Sequence, residues 1–280
     1  VAENAVAPYI GDMQYLHLPG TPNVSPGEVL GGTVTVDPAI LQETGAGGQG
    51  VAHGGIVKAS FEADLGEPLL AILSDMVRAT PAKTVSAKTF AVGTVDHSFL
   101  YTACQPRGFR YGCRIDATPK CSVGFWAKTP SITSSGAAQP TPAGLADTWA
   151  DFVVAVDTAD FEAREFEVSY ECNPFWHSSL DTRGAGAKRL PTGVYLGTPK
   201  IELMLRLAKR ITGGPAGLVG DAIDKDIDVV ITGAGIEFTF TDLLTPRLEH
   251  AVREASGVLT YQYRFACNKP YGGLTVAAPA

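Results

Sequence analysis

Leu259, Tyr261, Tyr263 and Phe265 alternate with Thr260, Gln262 and Arg264, which puts an aromatic row on one face of an extended chain. Phe166, Val168 and Tyr170 alternate in the same way with Glu165, Glu167, Ser169 and Glu171. So do Ile236, Phe238 and Phe240 with Glu237, Thr239 and Thr241. Each run predicts a strand with one buried and one wet face. Weaker patterns predict strands over 28–36, 56–63, 85–95, 98–104, 110–116, 122–127, 152–156 and 228–231, separated by Gly, Pro, Asn or Asp.

Helical spacing is rarer. Leu69, Leu70, Ile72, Leu73 and Met76 predict a helix over 67–79, and Thr245 is placed to cap a second that opens at Pro246 and turns Leu248, Ala251, Val252 and Ala255 inward. Residues 201–211 carry a strand's alternation in Ile201, Leu203, Leu205 and Leu207 but a helix's composition, and we read the first half as strand. Many short strands without regular βαβ alternation predict a mainly β chain: an antiparallel, jelly-roll-like sandwich with a few short peripheral helices. We take residues 1–280 as one domain with insertions. The Ser, Pro and Gly content of 129–144 marks a loop where two halves would divide.

Composition narrows the functional classes. With 280 residues and 45% hydrophobic content the chain can fill a sizeable core. No apolar run reaches the roughly 18 to 20 residues that span a bilayer, and the first residues lack the layout of a signal peptide, so a soluble protein with no membrane partner is expected. A start at Val1 suggests further sequence upstream. A net charge of −7, from 22 basic and 29 acidic residues, argues against a body that binds nucleic acid by bulk electrostatics. Cys104, Cys113, Cys121, Cys172 and Cys267 stand at irregular spacings, which fits free thiols in the core better than a zinc site or a disulfide framework.

The motifs of catalysis are incomplete. Gly45, Gly47 and Gly50 satisfy G-x-G-x-x-G, yet no buried strand precedes them and no capped helix follows. Asp96, His97 and Ser98 are sequence neighbours, which a strand points to opposite faces, so they form no triad. His17, His53, His97, His177 and His250 never pair at metal-ligand spacing. We therefore expect no catalytic residue.

Asp224, Asp226 and Asp228 are the most suggestive cluster. On an extended segment they share one face, where their mutual repulsion would be relieved by a cation such as Ca²⁺ held between subunits. An EF-hand is excluded, because Val229 and Gly235 stand where that loop needs Gly and Glu. Lys188, Arg189, Lys200, Arg206, Lys209, Arg210 and Lys225 concentrate in one stretch, opposite an acidic stretch over 147–171. Such asymmetry suits self-association or an inner face turned toward a polyanion.

Two resemblances add to this. His53, Gly54 and Gly55 resemble the His-Gly-Gly turn of hotdog-fold thioesterases, which implies a helix after the turn and Glu62, Asp64 or Glu67 as the acid. Residues 26–41, from Pro26 and Gly27 through Thr33, Val34 and Val36 to Pro38 and Leu41, resemble the first shell strand of coat proteins from small icosahedral RNA viruses of the sobemovirus, tombusvirus and nodavirus kind. That likeness implies a jelly-roll capsid subunit, made in the host cytoplasm and resident in the virion. It further implies that copies assemble into a closed shell, that the genome is packaged through an N-terminal arm outside this sequence, and that Ca²⁺ sits between subunits. A third reading is a β-sandwich binding or adhesion module, for which Trp126, Trp149 and Trp176 are the residues to test.

Overall fold

The alternating segments fold as antiparallel strands whose apolar faces meet in one core. The computed structural model describes residues 14–17, 28–37, 40–44, 50–54, 58–65, 70–81, 88–93, 98–127, 129–133, 148–177, 191–208, 227–244, 247–253 and 259–279. Its first half holds β1 (Gln14–His17), β2 (Glu28–Asp37), β3 (Ile40–Thr44), β4 (Gly50–Gly54), β5 (Lys58–Leu65) and the helix α1 (Leu70–Met76). There follow β6 (Lys88–Gly93), β7 (Ser98–Arg114), β8 (Lys120–Ala127) and β9 (Thr129–Thr133). The second half holds β10 (Val153–Val156), β11 (Ala159–Phe161), β12 (Ala163–His177), β13 (Gly193–Leu207) and β14 (Ile227–Thr232). It closes with β15 (Glu237–Leu243), β16 (Arg247–Arg253), β17 (Leu259–Ala266) and β18 (Leu274–Ala277).

Two five-stranded layers make a β-sandwich, with the order β17–β13–β12–β7–β8 in one and β11–β10–β14–β15–β18 in the other. Neighbours are commonly hairpins, as in β7–β8, β10–β11, β12–β13, β14–β15 and β16–β17. Period two sets each strand's buried face: Phe166, Val168, Tyr170 and Cys172 on β12, Ile201, Leu203, Leu205 and Leu207 on β13, and Phe238 and Phe240 on β15. Where the layers meet, the Phe238 ring lies 6.4 Å from Phe109 and 5.0 Å from Tyr111, centroid to centroid. Offset aromatic contacts of this kind add to the stabilisation from burial alone.

The first layer continues beyond the sandwich. From β7 the pairing runs through β6, β1, β2, β5 and β8 and so back to β7, while β3 and β4 form a separate two-stranded ribbon. The strand predicted over 28–36 is β2, paired with β5 from Val29↔Leu65 to Asp37↔Lys58.

α1 plugs the core with Ile72, Leu73 and Met76. Seven residues are too few for a helix to hold itself in water, so tertiary contacts must fix it. They do so just past its end at Arg78, which is 3% exposed. Its backbone N–H donates to the Tyr170 hydroxyl at 3.2 Å, and its carbonyl accepts from Gly272 at 3.2 Å. Its guanidinium donates to the Gly197 carbonyl and lies 5.2 Å from the Tyr271 ring centroid.

Several expectations are corrected. The helix predicted after Thr245 and Pro246 is the strand β16, paired with β17 through Leu248↔Tyr263 and Val252↔Thr260. Ladder hydrogen bonds to a committed neighbour outweigh a helix propensity worth only tenths of a kcal/mol per residue. The predicted loop over 129–144 begins with β9, which pairs with β7 from Thr102↔Thr129 to Ser98↔Thr133. The two strands predicted over 98–104 and 110–116 are one, β7. The ambiguous segment at 201–211 is strand through Leu207.

Candidate functional site

The described residues among those singled out from the sequence do not converge on one site. Asp224 and Asp226 lie outside the described residues. Asp228 is exposed on β14, and its backbone N–H donates to the Asp157 carboxylate at 3.1 Å. Among the described residues no three His, Cys, Asp or Glu side chains are grouped to hold a metal. His53 and Gly54 end β4, and β5 follows over Lys58–Leu65 where the hotdog resemblance requires a helix. Trp126 and Trp176 are half-buried against each other with centroids 5.8 Å apart, and Trp149 is exposed. Of the basic stretch, Lys200 pairs with Glu202 at 2.8 Å and Arg206 with Glu165 at 2.9 Å; Lys188, Arg189, Lys209, Arg210 and Lys225 lie outside the described residues.

What the fold does assemble is two surface features. The first is an arm. Beyond Cys172 and Pro199 the β12–β13 hairpin continues through Pro174↔Leu196, Phe175↔Tyr195, Trp176↔Val194 and His177↔Gly193. It thereby outruns the last pairing of β12 with β7, at Glu171↔Gly108, and of β13 with β17, at Glu202↔Ala266. One face of the arm packs inward, where the Trp126 indole N–H donates to the Cys172 carbonyl at 3.4 Å. The other face displays Phe175, 64% exposed, with Tyr195 paired opposite it and the rings of Tyr195 and His177 6.0 Å from each other.

The second feature lies on the outer face of the first layer. Along β7 the outward positions read Gly108, Arg110, Gly112, Arg114; along β12 they read Glu171, Ser169, Glu167, Glu165, in that order opposite them. A cationic column thus runs beside an anionic one. The glycines leave two adjoining depressions, of 280 and 570 Å³, both bordered by Arg110 and Ser122. Gly108 sits at φ +157°, and a Cβ there would overlap the Tyr170 carbonyl oxygen. Among the described residues, Arg110, Arg114, Glu167 and Glu171 take part in no ion pair, so this two-signed relief is presented to the outside.

The five cysteines form no disulfide, and four of them are buried. Desolvation pushes the Cys172 thiol up, and it also raises the Tyr170 phenol. Both therefore stay neutral at physiological pH, which suits packing rather than nucleophilic attack.

No protein-family model matches the chain, and no curated protein matches it. The sequence does carry a signal for the outer face in the alternation of Gly and Arg at 108–114 against the carboxylates at 165–171. It becomes visible only once β7 and β12 are known to be neighbours.

Proposed function

We propose that this protein is a structural capsid subunit that assembles with copies of itself into a closed icosahedral shell around a viral genome, as its coat-protein resemblance implies. It works by assembly rather than turnover. The observation that carries this reading is the arm: a hairpin that outruns its neighbouring strands and holds Phe175 in solvent. An exposed aromatic side chain on a projecting hairpin is unfavourable in isolation and favourable when a neighbouring subunit covers it. The β-sandwich supports the same reading, since its rigid layers can present identical patches at fixed angles, as a symmetric assembly requires.

Each subunit contact in such a shell buries on the order of 1,200–2,000 Å², with aromatic anchors at the centre and charged residues on the rim. The coat-protein resemblance would give genome packaging to a basic N-terminal arm, and Asp228 is the described member of the carboxylate cluster proposed to bind Ca²⁺ between subunits.

The test is the mass and shape of the purified protein, by light scattering and negative-stain microscopy, with and without a Ca²⁺ chelator. Closed particles of uniform diameter are expected, swelling on chelation. Open tubes or filaments would keep self-assembly but overturn the closed shell, because a head-to-tail contact closes only when its rotation does. A monodisperse monomer under all conditions would overturn the reading.

A further inference from the structure

We propose that the outer face of β7 and β12 is a two-fold contact between two copies of this chain, with the carboxylates of each seated over the glycines of the other. The inference deepens the self-assembly reading and rests on it for the identity of the partner.

The argument is one of register. Within one copy, Glu171 pairs with Gly108, Ser169 with Arg110, Glu167 with Gly112 and Glu165 with Arg114. Let a second copy face the first across a two-fold axis that runs along the boundary between the two strands. The rotation swaps the columns without shifting them lengthwise. Each β12 residue of one copy then faces, on the other, the β7 residue it pairs with in its own sheet.

Both shape and charge fit this arrangement. Glu167 and Glu171 project toward Gly112 and Gly108, where no side chain stands in the way. Arg110 projects toward the small Ser169, in the gap between the carboxylates of Glu167 and Glu171. Successive outward residues on a strand stand about 7 Å apart, so a guanidinium over Ser169 has one carboxylate about 7 Å to either side, is attracted by both, and can lean to pair with one of them. Isologous contacts require self-complementary patches, and adjacent columns of opposite sign meet that requirement about this axis. About an axis perpendicular to the strands, like would face like.

The acidic column also decides against a nucleic acid as occupant. A phosphate backbone attracted to Arg110 and Arg114 would lie against Glu167 and Glu171, one strand away, roughly 5 Å to the side.

The test is a pair of charge reversals mixed in trans. Arg110→Glu with Arg114→Glu makes both columns acidic, and Glu167→Arg with Glu171→Arg makes both basic. All four side chains are exposed, so each variant should keep the wild-type circular dichroism spectrum. In sedimentation velocity at low salt, each variant alone is expected to lose self-pairing by about tenfold or more in Kd. An equimolar mixture should pair at least as tightly as the wild type, because an acidic face then meets a basic one.

Self-pairing of either variant at wild-type strength, or a mixture that fails to pair, would overturn the inference. The two readings fail separately. Wild-type particles unaffected by either reversal would leave the shell standing and remove this contact. A wild-type dimer that is sensitive to both reversals, with no particles, would do the opposite. A wild-type monomer would remove both.

Discussion

The ring of Phe238 on β15 lies 5.0 Å from that of Tyr111 on β7, tilted by 37°, and this is where the two layers of the sandwich are joined. Both side chains are buried, and Phe109 closes on the same ring from β7. Phe238→Ala should therefore leave a cavity between layers that cannot collapse independently. A loss of about 3–5 kcal/mol in urea unfolding is expected, with the m-value unchanged. A loss below about 1 kcal/mol would mean that the layers are not held together here.

At Gly108 on β7 the Tyr170 carbonyl of β12 occupies the space a side chain would need. Gly108→Ala would combine an unfavourable φ with an overlap on the Tyr170 carbonyl oxygen. We expect it to cost about 1–3 kcal/mol or more, against a few tenths for an alanine at an ordinary exposed strand position. Thermal unfolding of Gly108→Ala beside Thr275→Ala, exposed on β18, makes the comparison.

Phe175 offers the opposite case, a large side chain whose removal leaves the fold intact. Phe175→Ser should change stability by no more than about 0.5 kcal/mol. It should nonetheless lower the mass of assemblies seen by light scattering at equal concentration. Unchanged assembly would remove the arm from the subunit contact.

Alkaline pH should destabilise the protein through Tyr170 and Cys172. Desolvation raises both groups above their ordinary values of 10.0 and 9.0. A group raised in the folded state contributes its full stability below its unfolded pKa and loses it as pH climbs toward the folded value, because the unfolded chain releases its proton first. The unfolding free energy from urea titrations should thus fall above about pH 9, by at most ~1.4 kcal/mol per pH unit for each group. Tyr170→Phe, which cannot ionise, should give a shallower decline.

Thiol labelling at neutral pH checks the core from another side. Cys267 is half-exposed, whereas Cys104, Cys113, Cys121 and Cys172 are buried. One thiol should react with an aromatic disulfide reagent, slowly because burial raises its pKa, and four more only on unfolding. Rapid labelling of several thiols in the native protein would contradict the described packing.

Alternation was legible in the sequence where a strand keeps one parity, as β12 does from Phe166 to Cys172. β15 keeps it only through Phe240, before Leu243 turns inward, and β17 only from Tyr263 onward: at its start Thr260 is buried and Leu259 exposed, the reverse of the expected faces. β13 was read only in part because its parity changes: Val194 and Leu196 point inward, then Pro199, Ile201 and Leu203. The irregularity opposite Cys172 and Pro174 inserts the extra residue. β7 was split in two because Pro106 and Gly108 resemble punctuation, although the strand passes through both, with Ala103 held at φ +51°. β16 was mistaken for a helix because its pattern lacks the partner, β17, that decides it. The outer-face relief was illegible for a related reason, since complementarity between residues 108–114 and 165–171 exists only across pairs that stand 51 to 63 residues apart in the chain.

The layer formed by β11, β10, β14, β15 and β18 draws its strands from widely separated stretches, with Val153 paired to Thr232 and Phe238 to Val276. Its hairpins can close within microseconds, but joining β10 to β14 must first bridge the whole of β12 and β13, a slow loop closure. During that interval the apolar face of β13 has no opposite layer, and an incomplete chain is at its most vulnerable to sticking to another. A subunit of this design benefits from finishing its own sandwich before it meets its neighbours, so dilute, slow refolding should recover more native protein than rapid refolding at high concentration.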